Sequence, residues 1–111
     1  MNWNSFPDLP ELPNPPYWAT IFISEKSDDL RGYSLIDDKT LEAAKNTEGY
    51  LGYASMGEGK NGIFISYWDS LEAIDRWRNN SIHLSAKERG KSTWYNQYVT
   101  QIVEIKSHSI K

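Results

Sequence analysis

Apolar residues along the chain switch between period-two runs and helical stripes, and the switches mark the elements. "YWATIFIS" (residues 17 to 24) is β-branched and aromatic, with Pro16 before it and the charged "EKSDD" after it, and predicts a buried strand. "GYSLIDDKTLEAAKNTEG" has good helix formers from Tyr33 to Asn46 and a stop at Gly49, although Asp37 and Asp38 interrupt its stripe of Tyr33, Ile36, Leu41 and Ala44. "YLGYASM" (50 to 56) and "GIFISYW" (62 to 68) flank "GEGKN" and predict a hairpin with a bulged Gly-rich loop. "DSLEAIDRWRN" predicts a helix from Ser70 to Asn79, with Asp69 as N-cap, Glu72 completing a capping box, and Ile74 and Trp77 one turn apart. Asn79, Asn80 and Ser81 favour caps over helix interiors, so "IHLSAKERG" reads as a separate helix or a kinked continuation. "NQYVTQIVEI" (96 to 105) is β-rich and predicts the last strand.

The order β-α-β-β-α-β is that of an α+β, ferredoxin-like domain: a four-stranded antiparallel sheet with helices on one face. Simple alternation puts Ile63, Ile65 and Tyr67 opposite Phe64, Ser66 and Trp68, and Leu51 and Tyr53 opposite Tyr50, Ala54 and Met56. Both faces are apolar, whereas a sheet with one wet face alternates apolar and polar, so something is expected to cover the side away from the helices. The economical cover is a second copy of the same sheet in a twofold homodimer. Gly52 and Ala54, small residues expected beneath the helices, leave room for a pocket there. Residues 1 to 16, "MNWNSFPDLPELPNPP", hold all five prolines and read as an extended arm, either anchored through Trp3, Phe6, Leu9 and Leu12 or free in solvent. The division is thus an arm (1 to 16), one domain (17 to 106) and a short tail (107 to 111).

At 111 residues the chain suffices for one domain, so a site must come from one core or be shared with another copy. Charges are dispersed and sum to −3, which argues against a nucleic-acid partner, since phosphate binding leans on clustered cations. No apolar run approaches the roughly 20 residues of a membrane span, and the N-terminus lacks a secretory pattern, so no membrane partner and a cytoplasmic location are expected. The absence of cysteine removes disulfides, thiolate nucleophiles and thiolate metal ligands, and with two histidines no metal site is expected. Five Trp and seven Tyr exceed what so small a core needs, and such rings concentrate at interfaces and planar-ligand pockets. "GEGKNG" joins two strands with no helix N-terminus after it, so it is no phosphate cradle, and Asp28-Asp29 and Asp37-Asp38 read as solvated faces.

Gly32-Tyr33 opening the first helix, "GYLGYAS" on the second strand, and "GIFISYWDSLEAIDRWRNNSIHLSAKERGKSTWYNQY" from Gly62 to Tyr98 together carry a resemblance to a known family. Over residues 17 to 106 the chain resembles the antibiotic biosynthesis monooxygenase domain, in the branch of bacterial proteins related to haem-degrading monooxygenases. The resemblance implies a dimeric α+β barrel built from two ferredoxin-like sheets. It also implies a monooxygenase that oxidises a planar phenolic or quinol-like small molecule with molecular oxygen and no cofactor. A second branch of the family implies haem instead, with an Asn on the first strand, a Trp on the second helix and an axial His about ten residues further on. Here Trp77 holds the Trp position, Ile23 and Ser24 stand where the Asn belongs, and Lys87 stands where the His belongs, so haem is an alternative with His83 as its ligand. A third reading, from another class, is a non-enzymatic dimer that binds or shields an aromatic metabolite.

The candidate catalytic residues are His83 and Trp77. On an unbroken helix six residues advance about 600°, which leaves the two rings about 120° apart and out of contact. A break at Asn80-Ser81 lifts that constraint. Two stripes then compete for the inward face: His83, Lys87, Gly90 and Trp94, or the more conventional Ile82, Ala86, Gly90 and Thr93. With the first stripe inward, His83 takes a phenolic proton or ligates iron, and Lys87 or Arg78 holds the anion formed. With the second, His83 is a partly exposed polar residue and Trp77 an anchor of its helix on the sheet. Trp68, Trp94 and Tyr33 are the candidate aromatic walls for a substrate, while Tyr33, Tyr67 and Tyr95 lie either on the pocket or on the dimer seam.

Overall fold

The computed structural model describes residues 2–5 and 12–111. Its elements are β1 (Asn2–Ser5), β2 (Tyr17–Lys26), α1 (Tyr33–Lys45), β3 (Tyr50–Glu58), β4 (Asn61–Trp68), α2 (Leu71–Arg78), α3 (Ser81–Arg89), a π-helical turn (Gly90–Trp94) and β5 (Tyr95–Ile105). The sheet runs β1-β3-β4-β2-β5, and every neighbouring pair is antiparallel. From β2 onward this is the expected ferredoxin-like fold with helices on one face. The arm adds a fifth, edge strand, because an extended segment finds free N–H and C=O groups along β3, pairing Asn2 with Gly57 and Ser5 with Ser55. Of the expected anchors of the arm, Phe6 and Leu9 lie outside the described residues, as does the side chain of Trp3.

Register decides which residues meet the helices. Trp18, Thr20, Phe22 and Ser24 of β2 lie opposite Trp68, Ser66, Phe64 and Gly62 of β4 and form the helix-side face. Tyr17, Ala19, Ile21 and Ile23 lie on the other face, with Tyr67, Ile65 and Ile63 of β4 and Val103 and Val99 of β5. On β3 the register slips between Tyr50 and Gly52, which leaves Leu51 as the extra residue of a bulge. The slip overturns simple alternation. Tyr50 packs on the helix side against Trp68, with ring centroids 5.6 Å apart, whereas Ala54 and Met56 pair with Ile65 and Ile63 on the far face. That far face is apolar; at one end Tyr17, Ala19 and Ala54 are buried, with His108 against Tyr17, while at the other end Ile23, Ile63 and Val99 remain 41%, 41% and 44% exposed among the described residues.

The compact core sits at one end of the helix side, where Trp68, Ala73, Ile74 and Trp77 close on Ala44 of α1, with Trp18, Ala43 and Tyr50 packed around them. Local chemistry sets the joints. The hairpin is tighter than expected: Glu58 pairs with Asn61, so the turn is only Gly59-Lys60, and Gly59 takes φ 60°. The N-cap of α2 is Ser70 and not Asp69, since the Ser70 hydroxyl accepts from the Ala73 N–H at 3.1 Å. Asn80 caps α3, its side-chain carbonyl accepting from the N–H groups of Ile82 at 2.9 Å and His83 at 3.4 Å, so the Asn-Asn-Ser stretch divides two helices.

Gly49 at φ 97° turns the chain from α1 into β3, and a Cβ there would stand 2.4 Å from the Ala73 Cβ and 2.5 Å from Asp69 Oδ1. Gly59→Ala meets open space and suffers only backbone strain. Gly49→Ala is therefore expected to lower the unfolding free energy by on the order of 3 kcal/mol in urea denaturation, against about 1 kcal/mol for Gly59→Ala. Equal losses would show that the clash with α2 is relieved at no cost.

Candidate active site

Beyond the Trp68 cluster the helices stand off the sheet, leaving a cavity of about 420 Å³, within the usual size of small-molecule sites. Its floor is Thr20, Phe22 and Ser24 of β2, Ser55 of β3, and Phe64 and Ser66 of β4. The helices supply Tyr33, Asp37, Thr40 and Leu41 of α1, Trp77 and Arg78 of α2, and His83, Ala86 and Lys87 of α3; Trp94, Tyr95 and Tyr98 close the far end. Room comes from short side chains on the helix-side face, Ser55, Gly62 and Ser66 among them. Ala54, expected beneath the helices, faces the other way because of the bulge, and neither it nor Gly52 lines the cavity.

The break at Asn80 brings the two candidate catalytic rings together. His83 lies on Trp77 with centroids 4.1 Å apart and planes at 22°, and Trp77 in turn stacks on Trp68 at 6.0 Å. His83 Nδ1 is 3.1 Å from the Trp77 carbonyl oxygen. A carbonyl only accepts, so Nδ1 carries the proton and Nε2 carries the lone pair. Among the described residues Nε2 has no hydrogen-bond partner, and it is not a sealed-off atom. Burial holds the His83 pKa below 6.5; the bond to the Trp77 carbonyl opposes this, and the Lys87 and Arg78 charges reinforce it. The inward stripe is thus His83, Lys87, Gly90 and Trp94, joined by Ala86.

Trp94 is 2% exposed and reaches the cavity because the π-helical turn adds a residue to the helix end. Its indole N–H donates to the Arg31 carbonyl at 3.0 Å, and its ring meets Tyr33 edge-on at 5.4 Å and 88°. Tyr33 and Tyr95 meet edge-on with ring centroids 6.2 Å apart, and burial raises both phenol pKa values, so both stay protonated at neutral pH. Asp37, an exposed residue of α1, lines the same end, where partial desolvation of its carboxyl and the adjacent Asp38 raise its pKa against the pull of Lys26. Arg78 and Lys87 are exposed at the rim. Trp68, expected as a substrate wall, is instead fully buried behind Trp77, with its N–H given to Ser66 Oγ at 2.8 Å. Tyr67 lies on the opposite sheet face near Tyr17, centroids 6.2 Å apart. The floor hydroxyls, Phe22 and Phe64 were missed from sequence, although Thr20 and Ser24 are the polar, same-parity positions of "YWATIFIS".

The donor set does not match the haem pattern. Ile23 is on the far face, Ser24 is a hydroxyl, Lys87 offers an amine where an imidazole belongs, and His108 hydrogen-bonds the Tyr17 hydroxyl at 2.8 Å, leaving His83 as the single imidazole of the cavity. Among the described residues no three His, Cys, Asp or Glu side chains converge as metal ligands, and no helix is long and apolar enough to cross a membrane.

No family model matches the chain. It is 40% identical over 98 residues to the uncharacterized protein YqjZ of Bacillus subtilis (strain 168), covering 87% of this chain and 86% of that one. Among solved structures it is similar to a proposed antibiotic biosynthesis monooxygenase of Nitrosomonas europaea (TM-score 0.67, 9% identity, 86% of this chain and 93% of that chain). It is likewise similar to SnoaB, a cofactor-independent oxygenase of Streptomyces nogalater (TM-score 0.65, 8% identity, 85% of this chain and 95% of that chain). At these identities the likeness of the solved structures is one of fold.

The depressed His83 pKa makes a testable demand on stability. The unfolded chain takes up the imidazole proton near pH 6.5, whereas the folded chain resists it, so His83 costs stability as pH falls below that value and costs nothing above it. Urea melts of wild type and His83→Gln at pH 7.5 and pH 5 (on either side of about 6.5) are expected to show a larger acid loss for wild type. Identical losses would mean that His83 titrates alike in both states.

Proposed function

We propose that this chain, which belongs to the same family as the Bacillus subtilis protein YqjZ, is a monooxygenase that oxidises a planar phenolic or quinol-like molecule with oxygen and no bound cofactor. The observation that carries this reading is the neutral His83, its Nδ1 proton given to the Trp77 carbonyl and its Nε2 lone pair left for the cavity. Such a group is a general base at neutral pH. Nε2 takes a phenolic proton, and the electron-rich anion reacts with oxygen. At the ring carbon that oxygen attacks, the single C–H bond is exchanged for a C=O, while the deprotonated phenolic C–O becomes a second C=O; one atom of O2 stays in the product and the other leaves as water with the ring hydrogen and the phenolic hydrogen. Phe22, Phe64, Tyr33 and Trp94 supply flat surfaces for the ring, and Lys87 and Arg78 at the rim stabilise the anion. The fold shared with SnoaB, a cofactor-independent oxygenase, supports the same class of reaction.

Oxygen consumption with a panel of quinols and anthrones is expected to exceed the uncatalysed rate, and His83→Gln is expected to lower kcat/KM by about a hundredfold or more. A protein that binds a panel compound and slows its autoxidation without consuming oxygen is a binder and not an enzyme. We further propose that the far sheet face, with Ile23, Ile63 and Val99 exposed, is covered by a second copy of the chain. Light scattering is expected to give the mass of a dimer for wild type and of a monomer for Ile63→Glu. A monomeric wild type would remove this proposal.

A further inference from the structure

The cavity floor contains a hydroxyl pair whose proton direction is set from behind. Trp68, buried in the core, can only donate, and its indole N–H goes to Ser66 Oγ at 2.8 Å. Ser66, 2% exposed, is in turn hydrogen-bonded to the Thr20 hydroxyl across the β2–β4 pairing. Each hydroxyl has one proton to place. If Thr20 donated to Ser66, the Ser66 oxygen would accept twice, and its own proton would be buried with no acceptor among the described residues, at a full desolvation cost. The satisfied arrangement runs one way: Trp68 donates to Ser66, and Ser66 donates to Thr20. The Thr20 proton then has no acceptor within the described chain, and Thr20 is on the cavity floor between flat aromatic surfaces.

From this polarity we infer that Thr20 is a specificity-determining donor, which selects planar ligands carrying a carbonyl or phenolate oxygen over bare aromatic hydrocarbons. The inference deepens the oxygenase reading by naming the substrate feature that the site recognises, and it rests on that reading only for the identity of the cavity. A carbonyl or phenolate oxygen over Thr20 completes a chain of hydrogen bonds in which each member polarises the next. A hydrocarbon leaves the Thr20 proton buried and unpaired, which is the penalty by which polar sites reject ligands lacking the matching group. Trp68 and Ser66 act through Thr20 and are positioning residues: without the indole donor, Ser66 is free to accept from Thr20, and the outward direction is lost.

The test is equilibrium binding under nitrogen, so that no turnover enters, with naphthoquinone and naphthalene as paired probes. The absence of cysteine leaves no thiol for the quinone to alkylate. Wild type is expected to prefer naphthoquinone. Thr20→Val, which keeps the shape and removes the donor, is expected to weaken naphthoquinone by about three- to tenfold and to leave naphthalene unchanged. Thr20→Ser restores the preference, which separates a lost donor from a disturbed fold, and Ser66→Ala gives a smaller loss confined to the quinone. A wild type that binds both probes alike, or neither, overturns the inference, as does a Thr20→Val variant that weakens both equally or neither. The oxygenase reading fails by a different measurement, a bound quinol that consumes no oxygen, so the two outcomes are read apart.

Discussion

The carbonyl of Trp77 is the point on which the site turns. The last carbonyls of a helix have no partner within it, and at the end of α2 this one receives the Asn80 N–H at 3.1 Å and the His83 ring Nδ1 at 3.1 Å. The first bond ends α2; the second draws the first turn of α3 back over the same residue. Three properties follow together. The imidazole is held in one tautomer, it is laid flat on the indole, and it is buried enough to resist a proton at neutral pH. Asn80 makes this compatible with the backbone by capping α3 at the residue where the chain changes direction.

The same logic explains what could be read from the chain and what could not. The elements were legible because each is announced by local chemistry: Pro16 before the first core strand, Gly49 after the first helix, the cap-forming Asn-Asn-Ser between the second and third. Trp77 and His83 were legible as candidates, but their meeting was not, since it depends on a side chain binding a helix-end carbonyl six residues back. Leu51 hid the parity of β3. One extra residue in a strand reverses every later side chain, so Ala54 was expected on the face that Tyr50 occupies. Trp68 shows the opposite difficulty. As the last helix-side residue of β4 it has the right parity for the cavity, and only the closing of α2 over it turns a ligand wall into core. Between Asp69 and Ser70, two good capping residues in adjacent positions, sequence has no means of choosing.

A cavity of this size costs stability, because its lining forgoes the contacts a packed core would make. The chain offsets that by concentrating its packing at one end, in the stack of Trp68, Trp77 and His83 with Tyr50 edge-on. Catalytic and structural roles therefore overlap at Trp77: the indole that anchors α2 is the surface on which the base rests. Replacing Trp77 would collapse the stack and release His83 together, so its contribution to chemistry is inseparable from its contribution to the fold.

Electrostatics gives the cavity a direction that net charge conceals. The chain sums to −3, yet the rim beside His83 carries Arg78 and Lys87. Burial does most to lower the proton affinity of the imidazole and both cations reinforce it, while both also favour the anion that proton removal leaves on the ligand. The opposite end, with Tyr33, Tyr95 and the Asp37 carboxyl whose pKa is raised, holds a cation as well, Lys26, whose Nζ lies 5.5 Å from the Tyr33 ring centroid beside that carboxyl. An anion formed beside His83 meets the rim cations, whereas at the other end the Lys26 charge is shared with Asp37. The base and the cations that stabilise its product thus stand on the same short helices, α2 and α3, joined through one carbonyl.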